Sequence, residues 1–152
     1  MKVAVLSDIH GNLPALEAVV AHIDAWSPDR VVVDGDIINR GPLSGDCLDL
    51  LVERYQTQGW HLLRGNHEEF VLDCGGPDQP LSGPMFEMKR FAHFALGQVA
   101  NHVNLLRLLP DAFDQPGPDG QLLRIVHASM RSNRDGIYPM TTDEEIRRQI
   151  AP

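Results

Sequence analysis

Cysteine is scarce: Cys47 and Cys74 are the two in 152 residues, they sit in segments of helical period, and no C-x-x-C spacing joins them. That excludes a disulfide framework or a zinc knuckle and leaves both as small buried hydrophobes. Long apolar runs are absent too. Ser7 and Asp8 break the first run, Val3-Ala4-Val5-Leu6, far short of a signal-peptide core or the ~20 residues of a membrane span. A cytoplasmic protein without membrane attachment is expected. Positive charge is outnumbered: 13 Lys and Arg against 21 Asp and Glu give a net charge of −8, with no basic cluster to offset it. This excludes an affinity built on neutralising a nucleic-acid backbone. No G-x-G-x-x-G follows the first apolar run, which removes a Rossmann-type nucleotide binder. Internal repeats and low-complexity tracts are also missing.

With 43% hydrophobic content, 152 residues suffice for one domain with a core and fall short of two. After Asn12, the residues Leu13, Leu16, Val19, Val20 and Ile23 share one helical stripe, with Pro14 in the first turn. They predict a helix of about 12 to 14 residues, closed by Trp26-Ser27-Pro28-Asp29. Arg30-Val31-Val32-Val33 reads as a strand buried on both faces, which makes a β-α-β unit with parallel strands. Ser44 reads as the N-cap of a second helix carrying Cys47, Leu48, Leu51, Val52 and Tyr55 up to Gly59. Trp60-His61-Leu62-Leu63 is a third strand, followed by a short helix through Leu72.

Gly75 to Pro84 is too rich in glycine and proline for regular structure. Residues 85 to 109 then return to helical period through Phe86, Phe91, Phe94, Ala95, Val99, Val103, Leu105, Leu106, Leu108 and Leu109. They are expected as a helical cap, 75–110, inserted into an α/β scaffold, with Met85 and Met88 as core filling or as a pliable binding surface. Pro116-Gly117-Pro118-Asp119-Gly120 turns 111–115 back on 122–126 as antiparallel strands. A last helix starts near Thr142 as N-cap, with Glu145 completing a capping box.

Four apolar runs end in groups that can bind metal. Asp8 and His10 follow the first, and alternation points both the same way. Asp36 follows the second, among glycines that permit tight turns; Asn66 follows the third, and His127 the run ending at Val126. Carboxylate oxygen with imidazole nitrogen suits Mn, Fe or Zn. In open α/β sheets, ligands gather outside the carboxyl ends of the strands. Singly, the aspartates are turn formers, Asn66 a cap for a helix beginning at His67, and His127 a core histidine. Jointly, in this order and with these glycines, they are read as one metal centre. His22, His61, His93 and His102 lack such context and are assigned to the surface or to helix packing.

Asp8-Ile9-His10 resembles the D-x-H motif of the calcineurin-like metallophosphoesterases, Gly35-Asp36-Ile37-Ile38-Asn39-Arg40-Gly41 their G-D-x-x-x-R-G, and Gly65-Asn66-His67-Glu68 their G-N-H-(D/E). Val126-His127-Ala128 is similar to the family's next histidine motif, so the resemblance spans residues 1 to 129. Within the family, residues 7–12 and the long cap look most similar to bacterial phosphodiesterases and to relatives of dinucleoside tetraphosphatases and protein phosphatases. The resemblance implies a metallophosphoesterase-type α/β/β/α sandwich holding two divalent metals, Mn first, with Fe or Zn as alternatives. It implies Asp8 and His10 on one metal, Asp36 bridging both, and Asn66 and His127 on the second. His67 is implied as catalytic acid and Arg40 as a phosphate contact.

The implied activity is that of a phosphodiesterase or phosphatase, in which hydroxide held between the metals attacks phosphorus without a covalent intermediate. The partner is then a phosphoester, with a nucleotide or a phosphoprotein as candidates; the sequence does not specify the oligomeric state. The alternative is an impaired member of the same fold serving as a protein-interaction module. Such a scaffold tends to lose ligands, whereas every motif position up to His127 is of the right type. The departure lies later: no histidine follows His127, so the family's G-H-x-H motif is missing and each metal keeps three protein donors. The 1–152 chain is therefore expected to be the N-terminal part of a longer domain, with metal bound substoichiometrically and favouring the side of Asp8, His10 and Asp36.

Overall fold

A computed structural model describes residues 1–76, 80, 82–117 and 119–151, with Met88 described through its backbone alone. β-Branched and aliphatic runs set the sheet. β1 (Val3–Leu6), β2 (Arg30–Val33) and β3 (His61–Leu62) pair in parallel in the order β1-β2-β3. β2 is central, and its valines divide by alternation. Val31 and Val33 join the core beneath the helices, and Val32 joins a second cluster with Leu63 and Ile125 on the opposite face. The strand is buried on both faces, as its composition predicts. β3 is shorter than the run Trp60 to Leu63 suggests. Leu63 still donates to Val33, but Arg64 turns away to donate to the carbonyl of Pro110.

The crossovers are α1 (Leu13–Trp26) and α2 (Ser44–Gln58). The Asn12 side chain accepts from the Ala15 N–H at 3.3 Å, which opens α1. Ser27 in the left-handed conformation closes it. The buried stripe is Leu16, Val20 and Ile23, while Val19 is exposed. Ser44 is not the N-cap of α2. Leu43 holds that position, and the Ser44 hydroxyl instead accepts from the Asn39 N–H at 3.0 Å. Cys47 and Cys74 are free and buried, and burial pushes the Cys47 thiol up to about 11.

α3 (Asn66–Cys74) begins at Asn66 itself, one residue earlier than a cap at Asn66 requires. α4 (Pro84–Gln98), a 3₁₀ turn (Ala100–His102) and α5 (Val103–Leu108) form the expected broken helical segment. Ala92, Ala95 and Val99 of this segment join the main core, whereas Phe91 and Phe94 face outward. The stretch from Gly75 to Pro84 falls partly outside the described residues, as do Pro118 and the Met88 side chain.

β4 (Ala112–Pro116) and β5 (Leu122–Val126) form the expected antiparallel hairpin, in register Ala112 with Val126 through Pro116 with Leu122. Its face packs through Ile125 and Phe113 on Val32, Leu63 and Val3. The layers are thus helices, parallel sheet and hairpin, in the order of the expected sandwich. α6 (Asp143–Ile150) follows, capped by the Thr142 hydroxyl, which accepts from the Glu145 N–H at 3.3 Å. The Glu145 carboxylate bonds Arg131 and not the Thr142 backbone, so the capping box is half formed. Among the described residues no helix is long and apolar enough to cross a membrane.

Leu48 is fully buried and Leu108 is 81% exposed. Leu48→Ala is expected to lower unfolding free energy by about 2–5 kcal/mol, and Leu108→Ala by less than about 0.5 kcal/mol, as read from urea midpoints.

Candidate metal centre

Backbone bonding continues past the strand ends and brings the first two loops side by side. The N–H groups of Asp8, His10 and Gly11 donate to the carbonyls of Gly35, Asp36 and Ile37, at 3.4, 2.9 and 3.0 Å. The third loop closes in because its neighbours lack side chains. A Cβ on Gly35 would lie 2.5 Å from Gly65 Cα, and one on Gly65 would lie 2.2 Å from Asp36 Oδ1. The glycines therefore allow close approach as well as turning.

One buried carboxylate locks this arrangement. Glu68 has no accessible surface, and its Oε2 accepts from the N–H groups of Asp36 and Gly65, both at 2.8 Å. Its Oε1 accepts from Ile37 at 2.9 Å and Ile38 at 3.2 Å. Burial pushes its pKa up, and the N–H donors of Gly65, Ile38 and Asp36 pull it back. With both oxygens engaged by donors, the bonded form is the carboxylate. Sequence reasoning missed this role. The spacing of Gly65 and Glu68 is a capping-box signal for one of the four bonds, and nothing local reveals the three reaching across to the second loop.

The backbone at the site is strained. Asp8, His10, Asp36, Asn39, Arg40 and Ala128 all have φ between 49° and 74°. Each such residue costs about 1–3 kcal/mol and persists where surrounding bonds over-determine it. Together these loops and residues 133–138 enclose a cleft of about 840 Å³ reached by Asp8, His10, Asp36, Asn66, His67 and His127.

Asp36 is at its centre. Oδ1 accepts from the His67 N–H at 2.9 Å and stands 3.5 Å from His127 Nε2. Oδ2 stands 3.8 Å from His10 Nε2 and 3.9 Å from His67 Nε2. Asp8 Oδ1 is 3.6 Å from His10 Nε2, and Asn66 Oδ1 is 3.1 Å from His127 Nε2. All five residues expected to hold metal are brought together, and His67 and Arg40 join them. Among the described residues, His10, Asp36 and His67 place one ligand atom each within 4.8 Å of one another. His22, His61, His93 and His102 do not line the cleft; His61 stacks on Phe113, and His102 bonds Asp49.

The imidazole tautomers are set by the backbone. His127 Nδ1 is 2.7 Å from the Asp34 carbonyl, and His10 Nδ1 is 3.4 Å from that of Ile38. A carbonyl only accepts, so Nδ1 carries the proton in each neutral ring and Nε2 presents a lone pair. Those lone pairs face carboxylate and amide oxygens, so acceptors confront acceptors around Asp36. A divalent cation reconciles such a set, and Nδ1–H to carbonyl is the bond that orients ligating histidines. The donor set fits a metal.

His67 differs. Asn39 Oδ1 accepts from the Arg40 N–H at 2.8 Å, which turns Asn39 Nδ2 toward His67 Nδ1 at 2.9 Å. Nδ1 then accepts from Asn39. The Arg40 guanidinium, which only donates, places Nη2 3.2 Å from Nε2, so the ring meets a donor at both nitrogens. Burial lowers the His67 pKa, Asp36 opposes the shift, and His10 and Arg40 reinforce it. Asn39 is a second functional position missed from the sequence, where it reads as a spacer inside a motif.

The model of the calcineurin-like phosphoesterases matches residues 1–145. Over 77 residues the chain is 39% identical to serine/threonine-protein phosphatase 1 of Salmonella typhimurium, a match covering 49% of this chain and 33% of that protein. A crystal structure from Pyrococcus horikoshii OT3 shares the fold at 20% identity and a TM-score of 0.78, covering 97% of this chain and 63% of that one. A metallophosphoesterase from Sphaerobacter thermophilus superposes at 27% identity and a TM-score of 0.67, covering 91% and 51%. The match thus spans about a third of the phosphatase, at 33%, and between half and two thirds of the two solved structures, at 51% and 63%.

Glu68→Gln keeps the volume but turns an amide N–H₂ toward backbone donors. It is expected to destabilise the fold by about 3 kcal/mol, since buried N–H groups lose their acceptor. Urea unfolding checks this, and an unchanged midpoint would contradict the locking role.

Proposed function

The chain belongs to the calcineurin-like phosphoesterase family, and we propose that it is a metal-dependent phosphoester hydrolase whose reaction centre is the cleft around Asp36. The observation that carries this reading is the convergence there: His10 Nε2 and His127 Nε2 stand 3.8 and 3.5 Å from the Asp36 carboxylate, each ring with its Nδ1 turned to a backbone carbonyl. Asp8, His10 and Asp36 hold one cation in this reading, and Asp36, Asn66 and His127 the other. Mn is the first choice, with Fe or Zn as alternatives, for carboxylate, amide and imidazole donors. When bound, two such ions supply Lewis-acid polarisation of the phosphoryl oxygen and activation of a water.

The chain's own side chains do the rest. Arg40 is exposed at the rim, and its planar guanidinium forks onto phosphate oxygens. His67 is assigned to the leaving group and not to a metal, because the guanidinium 3.2 Å from its Nε2 disfavours a second cation there. In this reading Arg40 moves from Nε2 onto the phosphate, and His67 protonated at Nε2 donates to the departing alkoxide. Asn39 Nδ2 orients the ring from the opposite nitrogen. A scaffold kept for protein interaction has no use for this many oriented acceptors, which favours the hydrolase. The helical segment 85–109 supplies substrate selection and no metal ligands in this reading.

Asp36→Asn removes the anion that both cations share, and is expected to lower bound manganese and abolish turnover. Metal analysis beside an assay on nitrophenyl phosphate esters checks it. His67→Gln is expected to retain metal while slowing alkyl phosphate esters by about 10²–10⁴-fold, and nitrophenyl esters far less, because nitrophenolate needs no proton to leave. Equal losses on both substrates would remove His67 from the acid role.

A further inference from the structure

Against the rim of the centre lies a second cavity, of about 540 Å³, walled by Arg40, Pro42, Glu87, Arg90, Phe91 and Phe94. Phe91 is 68% exposed and Phe94 55% exposed. Three apart on α4, they lie on one side of the helix, while Ala92 and Ala95 carry its buried side into the core. Two neighbouring phenylalanines left open to water form an apolar patch that marks a contact surface. The position of the patch narrows the choice of occupant. Arg40 lines both cavities, with its guanidinium 3.2 Å from His67 Nε2, so the two adjoin at the residue assigned to phosphate.

The rim adds polar chemistry. Arg90 Nη1 bonds Glu87 Oε2 at 3.1 Å, and both side chains are more than half exposed, at 65% and 60%. An exposed pair of this kind is weakly held and exchanges partners at little cost. Two exposed aromatic side chains in the wall, one acceptor and one donor at the edge, and an arginine at the end are what a heteroaromatic base on a phosphorylated sugar requires. An aliphatic leaving group would use neither the aromatic faces nor the rim.

We infer that this cavity is a nucleobase subsite, which takes the base of a nucleotide phosphoester whose phosphate is held at the Asp36 centre by Arg40. The inference rests on the hydrolase reading and names the class of substrate for it. The base stacks on Phe91 and Phe94, and Glu87 and Arg90 meet its polar edge.

The test is calorimetric titration of the full chain in manganese with inorganic phosphate, ribose 5-phosphate and AMP, repeated on Phe91→Ser, Phe94→Ser and the double variant. Both residues are exposed, so the fold is expected to survive, which circular dichroism verifies. The unsubstituted chain is expected to bind AMP about tenfold more tightly than ribose 5-phosphate, the scale of one stacked base. The double variant is expected to lose that preference and keep its affinity for inorganic phosphate. Phosphate and ribose 5-phosphate binding with no gain for AMP would overturn the subsite and leave the hydrolase reading standing. A preference for AMP that survives the double substitution would also overturn it. So would a dimer in sedimentation that the same substitutions dissolve, since the patch would then belong to a second copy of the chain. Failure to bind inorganic phosphate at all would overturn the hydrolase reading itself, and the inference with it.

Discussion

Four backbone N–H groups converge on the Glu68 carboxylate, and the geometry of the centre depends on that convergence. A charge with no accessible surface is tolerable only when fully bonded, and both oxygens here are engaged twice. Glu68 also lies in the first turn of α3, where the helix dipole favours an anion. The bonds join two loops that are distant in sequence, at Asp36 to Ile38 and at Gly65. Asp36 is thereby held with its backbone in the left-handed region at φ 52°, and its side chain is aimed at three imidazoles. A carboxylate that touches no substrate thus places the carboxylate that the chemistry requires.

The centre gathers carboxylates and imidazoles in a donor set that a divalent cation would fit. Asp8, Asp34 and Asp36 converge with the imidazoles of His10 and His127, whose Nδ1 atoms face backbone carbonyls. Asp34 Oδ1 is buried without a hydrogen-bond partner, and burial raises the pKa of that carboxyl, His127 opposing the shift and Asp8 and Asp36 adding to it. Backbone strain at Asp8, His10, Asp36, Asn39 and Arg40 falls in the same place. Unfavourable terms concentrated at one cleft, on a scaffold otherwise locally consistent, are the pattern of a functional site.

Much of the scaffold was legible because its signals are local. Val31 to Val33 announce a central strand, Asn12 and Pro14 a helix start, and the turn after Pro116 a hairpin. The convergence of Asp8, His10, Asp36, Asn66 and His127 was legible through their shared position after apolar runs. What escaped depends on contacts across the fold. Ser44 has the composition of a cap, yet its hydroxyl serves Asn39. Glu145 has the spacing of a capping box, yet Arg131 takes its carboxylate. On α4, Phe91 and Phe94 run beside Ala92 and Ala95 as adjacent apolar stripes, and periodicity cannot choose between them. The small residues turn inward, where α4 packs on α3, and the large aromatic ones remain outside beside Arg40.

The assembly of these loops into a metal centre is tested most directly by diffraction at the manganese absorption edge, from crystals of the full chain grown with manganese. The expected anomalous map has a peak in contact with the Asp36 carboxylate and facing Nε2 of His10, on the side of Asp8. Any second peak is expected between Asp36, Asn66 and His127. A map with no peak against Asp36, or with its strongest peak elsewhere on the molecule, would contradict the assignment.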